Sequence, residues 1–249
     1  MSSNRIIMKL LYLILCMGIF GTALGNTIAF RNPINDTPLV IRSCSDFIVT
    51  GKGENNEWQK TKWVPLNQID KTGKQQETKV KMLYSSTGIY VLFSGQDEKI
   101  TSSFMNDFEN LYEGDVFEVF FHPVPSEPVY FEYEISPLNK ELVLLISNRN
   151  GKFGRWLPWN YKANKIIKNV SLVGGQMKSG SNIQGWSAEM FFPYSLLYVL
   201  DNVPPKSGTR WNANFCRLDY DSGKMTKWSW SPIKVTFHEF HRFFPVQFE

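Results

Sequence analysis

No apolar run at the start of this sequence reaches the roughly 20 residues that a bilayer-spanning helix needs. The stretch 10–19 is flanked by Arg5 and Lys9 on one side and by the small-x-small triplet Ala23-Leu24-Gly25 on the other. That arrangement is an export signal, so residues 1–25 read as a signal peptide removed near Asn26, leaving an exported chain in a periplasm, on a cell surface or outside the cell. Charge of one sign is scarce too: the net charge is +4, and setting aside the leader's two basic residues leaves +2. Lys and Arg are scattered among Asp and Glu, without the basic stripe that a phosphate backbone requires, so no nucleic acid is expected as a partner. Cysteine is nearly absent. Two of the three remain after the leader, Cys44 and Cys216, and they read either as one disulfide of an oxidising compartment or as two separate buried thiols. Their spacing fits no zinc pattern, and no metal is expected from them. The three histidines, His122, His238 and His241, come without Gly-x-Ser-x-Gly or His-Glu-x-x-His, and no Gly-rich phosphate loop is present.

Long helical periodicity is missing as well, and only 194–200, after Pro193, suits a short turn of helix. Alternation of apolar and polar residues is frequent instead. In 130–135, Phe131, Tyr133 and Ile135 point one way, toward a core, and Tyr130, Glu132 and Glu134 the other, toward a polar face. Residues 80–84 and 89–93 flank Ser85-Ser86-Thr87-Gly88 as a hairpin, and 116–121, apolar apart from Glu118, reads as a central strand. Further strands are expected at 142–147, 168–173, 186–192, 211–219, 228–230 and 243–248, while 51–56 is the most linker-like stretch. Without a repeat or a low-complexity linker, residues 26–249 read as one all-β domain, an antiparallel sandwich of immunoglobulin or jelly-roll type with short helical turns.

Aromatic residues make up 15% of the chain, and all eight tryptophans follow the leader. Trp186 and Trp211 alternate in phase with apolar neighbours and belong to a core. Trp156 and Trp159 lie in Arg155-Trp156-Leu157-Pro158-Trp159-Asn160, a Pro-containing segment read as a loop, where an indole is free to serve as a platform. A pyranose has apolar C–H faces and a polar rim, so flat rings plus amides, carboxylates and guanidinium groups form a saccharide site. The set available for it is Tyr112, Glu118, Glu132, Asn139, Arg149, Trp156, Trp159, Asn214, Arg217, Trp228 and Trp230. Glu118, Glu132 and Glu134 also keep a glycoside hydrolase open as an alternative, since acid and base carboxyls are paired in such enzymes. No catalytic residue is assigned.

The order of segments resembles carbohydrate-binding module family 9, within the wider DOMON-like sandwiches. It is carried by 111–121 (Leu-Tyr-Glu-Gly-Asp-Val-Phe-Glu-Val-Phe-Phe), 130–139, Gly185-Trp186-Ser187-Ala188-Glu189-Met190, 211–217, Trp230-Ser231-Pro232 and Phe237-His238. The resemblance implies non-catalytic binding of the end of an oligosaccharide or polysaccharide, clamped between two aromatic rings, in a protein supporting polysaccharide breakdown. Tyr112 stands where such modules often place Trp, and Trp230 is the expected second ring. Some relatives hold calcium, so a structural calcium ion stays open, although no dense Asp/Asn loop specifies one; no other cofactor is implied. Some DOMON-like sandwiches bind haem, for which Met82, Met105, Met190 and His122 would be the ligands available.

Overall fold

The computed structural model describes residues 37–69, 74–158 and 161–249. The leader and Trp159 lie outside the described residues. In chain order the strands are β1 (Leu39–Ser43), β2 (Val64–Pro65), β3 (Asn67–Gln68), β4 (Thr78–Tyr84), β5 (Gly88–Gln96), β6 (Val116–His122), β7 (Val129–Ile135), β8 (Glu141–Arg149), β9 (Lys152–Trp156), β10 (Ile167–Val173), β11 (Gly185–Pro193), β12 (Arg210–Asp219), β13 (Thr226–Ser229) and β14 (Phe244–Phe248), with one α-helical turn, α1 (Tyr194–Leu197). A first sheet runs β9-β8-β7-β6-β12-β14 and a second runs β10-β11-β5-β4. Strand β1 lies between β14 and β4, parallel to both, and so joins the two sheets; the other pairings are antiparallel.

The period of two explains why the sheets stack. Side chains at odd positions of β6, β7 and β12 (Phe117, Val119, Phe121; Phe131, Tyr133, Ile135; Trp211, Ala213, Phe215) meet Val80, Met82, Ile89, Val91, Phe93, Trp186, Ala188, Met190 and Phe192 from the second sheet in one core. Rings cross the gap directly: Phe117 stacks on Trp186 with centroids 3.8 Å apart and on Phe93 at 4.7 Å. Such pairs add roughly 0.5–1.5 kcal/mol each beyond their burial.

The even face of β7 differs from the sequence expectation. Tyr130, Glu132 and Glu134 do not face water; they are buried, as are Phe120, Leu142, Leu144, Cys216 and Leu218 on the neighbouring strands. The cause is a long strand-free segment between β13 and β14 that folds back across the outer face of the first sheet and lays Ile233, Phe237 and Phe243 on it. A loop does the same for the second sheet. Residues 44–60 place Val49 and Trp58 against Leu83, Tyr90 and Leu92, and Glu189 pins them by accepting from Trp58 Nε1 (2.7 Å), Thr50 N (2.6 Å) and Gly51 N (2.9 Å). The stretch expected to be linker-like is therefore packed down.

These coverings also decide the cysteine question. Cys216 sits in the apolar cluster outside the first sheet and Cys44 packs against the one outside the second, so the thickness of the sandwich separates them and both thiols are free. Burial pushes the Cys44 thiol up to about 12 and the Cys216 thiol well above its ordinary value.

One ion-pair group ties the sheets at an end of the core. Arg217, fully buried on β12, donates through Nη1 to Thr78 Oγ1 (3.0 Å) and to the Gln96 carbonyl (2.6 Å) of the other sheet. Its Nη2 lies 3.2 Å from Asp97 and 2.5 Å from Asp219. Gly95 makes room for the guanidinium, since a Cβ there would stand 3.0 Å from Nη1 and from the Phe117 ring. Removing one partner of such a buried pair leaves an uncompensated charge, at a cost of about 3–5 kcal/mol. Arg217→Met is thus expected to lower the urea midpoint by that equivalent at an unchanged m-value; a variant as stable as the parent would show that the group does not hold the sheets together.

Candidate binding site

The outer face of the first sheet carries a cavity of about 280 Å³ lined by Tyr112, Glu118, Glu132, Glu134, Phe153, Arg155, Leu218, Met225, Lys227, Val235, Thr236, Phe237 and His238. Its floor comes from the same alternation that builds the core, one residue out of phase. Glu118 on β6 faces Glu134 on β7 directly across the ladder, and Glu132 lies two residues along, so three carboxyls share one patch of sheet. Directly opposed side chains have Cβ atoms about 4.5–5.5 Å apart. The wall comes from β9, whose Phe153 and Arg155 project to this side, and the far side from the segment carrying Val235 to His238.

Strand β9 was not expected from the sequence. Asn150 (φ 55°) and Gly151 (φ 79°) form its turn, and both take the left-handed conformation that a two-residue hairpin of this kind requires. The Asn-Gly pair was the available signal. Through this hairpin Arg155 reaches the pocket and lies over two rings, 5.1 Å from the Tyr112 centroid and 5.6 Å from that of Phe153. Its Nη2 is 2.9 Å from His238 Nε2. A guanidinium only donates, so Nε2 is the acceptor and the proton of His238 sits on Nδ1, directed at the Tyr130 hydroxyl 3.0 Å away. Burial first, and Arg155 second, bring the His238 pKa down to about 4, which keeps the ring neutral.

The carboxyls are perturbed in the other direction. Burial raises Glu132 to about 7, with Arg155 opposing. It raises Glu134 and Glu118 well above their ordinary value, with neighbouring carboxylates adding to the rise. Apart from the contact between the Glu132 and Glu134 carboxyls themselves, no donor among the described residues bonds Glu132 Oε2 or either oxygen of Glu134. The floor of the cavity therefore consists of buried carboxyls on which burial holds protons, beside one guanidinium already engaged.

The sequence-selected residues divide on this geometry. Tyr112, Glu118 and Glu132 come together in the pocket, and Glu134, Phe153, Arg155, Phe237 and His238 join them. The rest lie elsewhere. Trp228 is buried beneath Arg217, 4.7 Å from ring centroid to guanidinium carbon, and donates to the Gln76 carbonyl. Trp230 packs against the core between Phe215 and Phe244, so it is not the second ring of a clamp over this cavity. Asn214 is buried and fixes the turn after β13, accepting from Ser231 N and donating to Ser229 Oγ. Arg217 belongs to the inter-sheet ion pair. Asn139 occupies the β7–β8 turn with φ 58°, and Arg149 is exposed at the end of β8. Trp156 lines a separate hollow with Val129, Leu145, Leu157, Val199 and Leu200, all apolar among the described residues.

Haem ligation meets a geometric obstacle. Met82 and Met190 lie in the core between the sheets, whereas His122 is on the outer face of β6, packed on Phe240 and bonded to the Glu127 carbonyl at 2.7 Å; Met105 is exposed. For a cation, the group of suitable type is Asp97, Asp219 and Asp221, with ligand atoms within 4.8 Å of one another. It fits poorly, because every oxygen already accepts from the protein. Asp97 takes Trp186 Nε1, Lys99 N and Arg217; Asp219 takes Arg217 and Asp221 N; Asp221 takes Lys99 N and Thr101 Oγ1.

The model of the family described as "Carbohydrate-binding family 9" matches residues 52–248. The chain belongs to carbohydrate-binding family 9. Among solved structures, that of a candidate carbohydrate-binding protein from Bacteroides uniformis ATCC 8492 superposes with TM-score 0.69 at 16% identity, covering 85% of this chain and 99% of that one. Two structures of a family 9 module from Caldicellulosiruptor kristjanssonii, in complex with glucose and with cellotriose, give TM-scores of 0.62 and 0.61 at 14% identity. Each covers 86% of this chain, and 96% and 94% of the respective module. At such identities the likeness is one of fold. No curated protein matches the chain.

The raised carboxyls give the family 9 fold a pH dependence of definite sign. A carboxyl with a folded pKa above its unfolded one ionises first in the unfolded chain. Its contribution to stability is therefore complete below about 4.5 and is lost as pH rises toward 7 for Glu132, and beyond for Glu118 and Glu134. Glu134→Gln removes one such loss. It is expected to melt several degrees above the parent at pH 8, at about 2–4 °C per kcal/mol for a chain of this size, and to match it at pH 4; a lower melting temperature at pH 8 would contradict the assignment.

Proposed function

We propose that this family 9 protein holds the end of a saccharide in the cavity formed by Tyr112, Phe153, Arg155, Glu118, Glu132, Glu134 and His238. The observation that carries the reading is the pairing of aromatic ring faces with buried carboxyl oxygens that lack donors. Sugar hydroxyls supply donors, two at a time from a vicinal diol to one carboxylate, and a carboxyl kept protonated by burial donates to a ring or glycosidic oxygen in return. The apolar C–H face of the sugar meets the exposed part of Tyr112 and Phe153, and Phe153 takes the role expected of Trp230. The complexes of the Caldicellulosiruptor module with glucose and cellotriose make a glucose-ended oligosaccharide the first ligand to try. Export is part of the reading, on the strength of the leader-like residues 1–25, and among the described residues no helix is long and apolar enough to cross a membrane.

The role is binding, without chemistry. Calorimetric titration with glucose, cellobiose and cellotriose is expected to give weak association that Tyr112→Ala reduces at least tenfold. Arg149→Ala and Trp156→Ala, which lie outside the cavity, leave it unchanged. Heat from none of these saccharides, or equal affinity in Tyr112→Ala, would refute the placement. Release of reducing ends from cello-oligosaccharides, abolished in Glu118→Gln, would make the protein a hydrolase instead.

A further inference from the structure

The wall of the cavity hangs on a turn whose sequence is chemically unstable. Asn150-Gly151 is the only Asn-Gly pair in the sequence, and it forms the two-residue loop between Arg149 and Lys152, which pair across the hairpin. An asparagine amide is open to attack by the main-chain nitrogen of the residue that follows, and a side chain on that residue obstructs the approach. Among the described residues three asparagines take a positive φ: Asn139 precedes Lys140, Asn202 precedes Val203, and Asn150 precedes a residue with no side chain. Nothing lies within 4 Å of where a Cβ of Gly151 would stand. Asn150 is exposed and no hydrogen bond among the described residues holds its amide, whereas Asn202 Nδ2 donates to the Pro123 carbonyl at 2.9 Å.

In the resting turn the Gly151 N–H is occupied, donating to Asn148 Oδ1 at 3.1 Å, so the attack requires the hairpin to open. Strand β9 is placed for that. It is an edge strand paired with β8 alone, and all five of its residues are exposed. An element with so little burial opens at well below the cost of global unfolding.

We propose that Asn150 is a self-modifying site through which the protein loses the β9 wall of its cavity. In the open hairpin the Gly151 nitrogen bonds to Asn150 Cγ and the Cγ–Nδ2 bond breaks. Nδ2 leaves as ammonia, taking up the hydrogen that Gly151 gives up, and a cyclic imide remains. Water, the only co-reactant, then adds to one of the imide carbonyls, and nothing is oxidised or reduced. Opening at Cγ yields aspartate, and Asp-Gly keeps the turn type. Opening at the main-chain carbonyl yields isoaspartate, whose extra main-chain carbon does not fit a two-residue loop held in register by Arg149 and Lys152. Phe153 and Arg155 then leave their places against His238 and Tyr112.

The test ages the full chain at 37 °C and mildly alkaline pH beside Asn150→Gly, which has no amide to lose and forms the same turn as a Gly-Gly pair. Peptide mapping by mass spectrometry is expected to find amide loss at Asn150 at least tenfold faster than at Asn139 or Asn202, with isoaspartate in excess over aspartate. Trypsin cleavage of the aged native chain after Lys152 and Arg155 rises with the isoaspartate fraction in the parent and stays flat in Asn150→Gly. Amide loss at Asn150 no faster than at Asn139, or isoaspartate that leaves trypsin cleavage unchanged, would overturn the proposal. A second readout rests on the saccharide reading above: cellotriose affinity falls in step with isoaspartate in the parent alone. Fresh parent that binds no saccharide would refute that reading and leave trypsin cleavage to decide this one. Fresh parent that binds and keeps its affinity as isoaspartate accumulates would overturn the loss of the wall.

Discussion

Three carboxyls pressed together on the buried outer face of a sheet are the constraint around which this molecule is arranged. Placing them there opposes folding, since each loses hydration and each raises the cost of ionising the others. A structure that keeps such a group has to neutralise it by proton or partner, and both devices are present. Burial holds protons on the carboxyls well above their ordinary range, and Arg155 is carried in on a hairpin whose turn geometry depends on Asn150 and Gly151. His238, neutral and fixed in one tautomer, holds that guanidinium in turn.

The rest of the fold keeps this patch rigid and covered. Strands β6 and β7 hold the carboxyls in register because their other faces are locked into the inter-sheet core by Phe117, Val119, Tyr133 and Ile135. A slip of one residue would exchange the two sets, which no arrangement of this sequence could accommodate. The outer covering is the segment between β13 and β14, with Ile233, Phe237 and Phe243 as its apolar anchors. One segment thereby closes a second, smaller core and forms one side of the cavity.

Much of the fold was legible because its signal is local. Alternation located β4 to β8 and β10 to β12 within a residue or two, apart from the end of β5, which runs three residues further to Gln96, and it assigned Trp186 and Trp211 to the interior. What alternation does not tell is whether the polar set of a strand faces water or another layer. Glu132 and Glu134 read as a solvated face because the segment that buries them lies about a hundred residues downstream and has no periodicity of its own. The site was legible in part for the same reason. Tyr112 stands out through the family-like order of segments and Glu118 and Glu132 through residue type, whereas Phe153 and Arg155 depend on a hairpin signalled only by its Asn-Gly turn; Trp228 and Asn214, chosen by residue type, and Trp230, implied by the resemblance, are taken up by their neighbours.

A comparison within the molecule separates structural from ligand-facing charge more sharply than residue type does. Arg217 with Asp97, Asp219 and the partly buried Asp221 also gathers three carboxylates round one guanidinium, yet its oxygens are all taken by Trp186 Nε1, Thr101 Oγ1, main-chain N–H groups and the guanidinium itself. Carboxylates whose oxygens are engaged in this way specify a fold and gain nothing from a ligand. The glutamates keep three oxygens without a partner, Glu132 Oε2 and both of Glu134, and they have a cavity in front of them. Folding tolerates that deficit when something outside the chain makes it good, and in the proposed reading the hydroxyls of a saccharide end resting on Tyr112 and Phe153 do so.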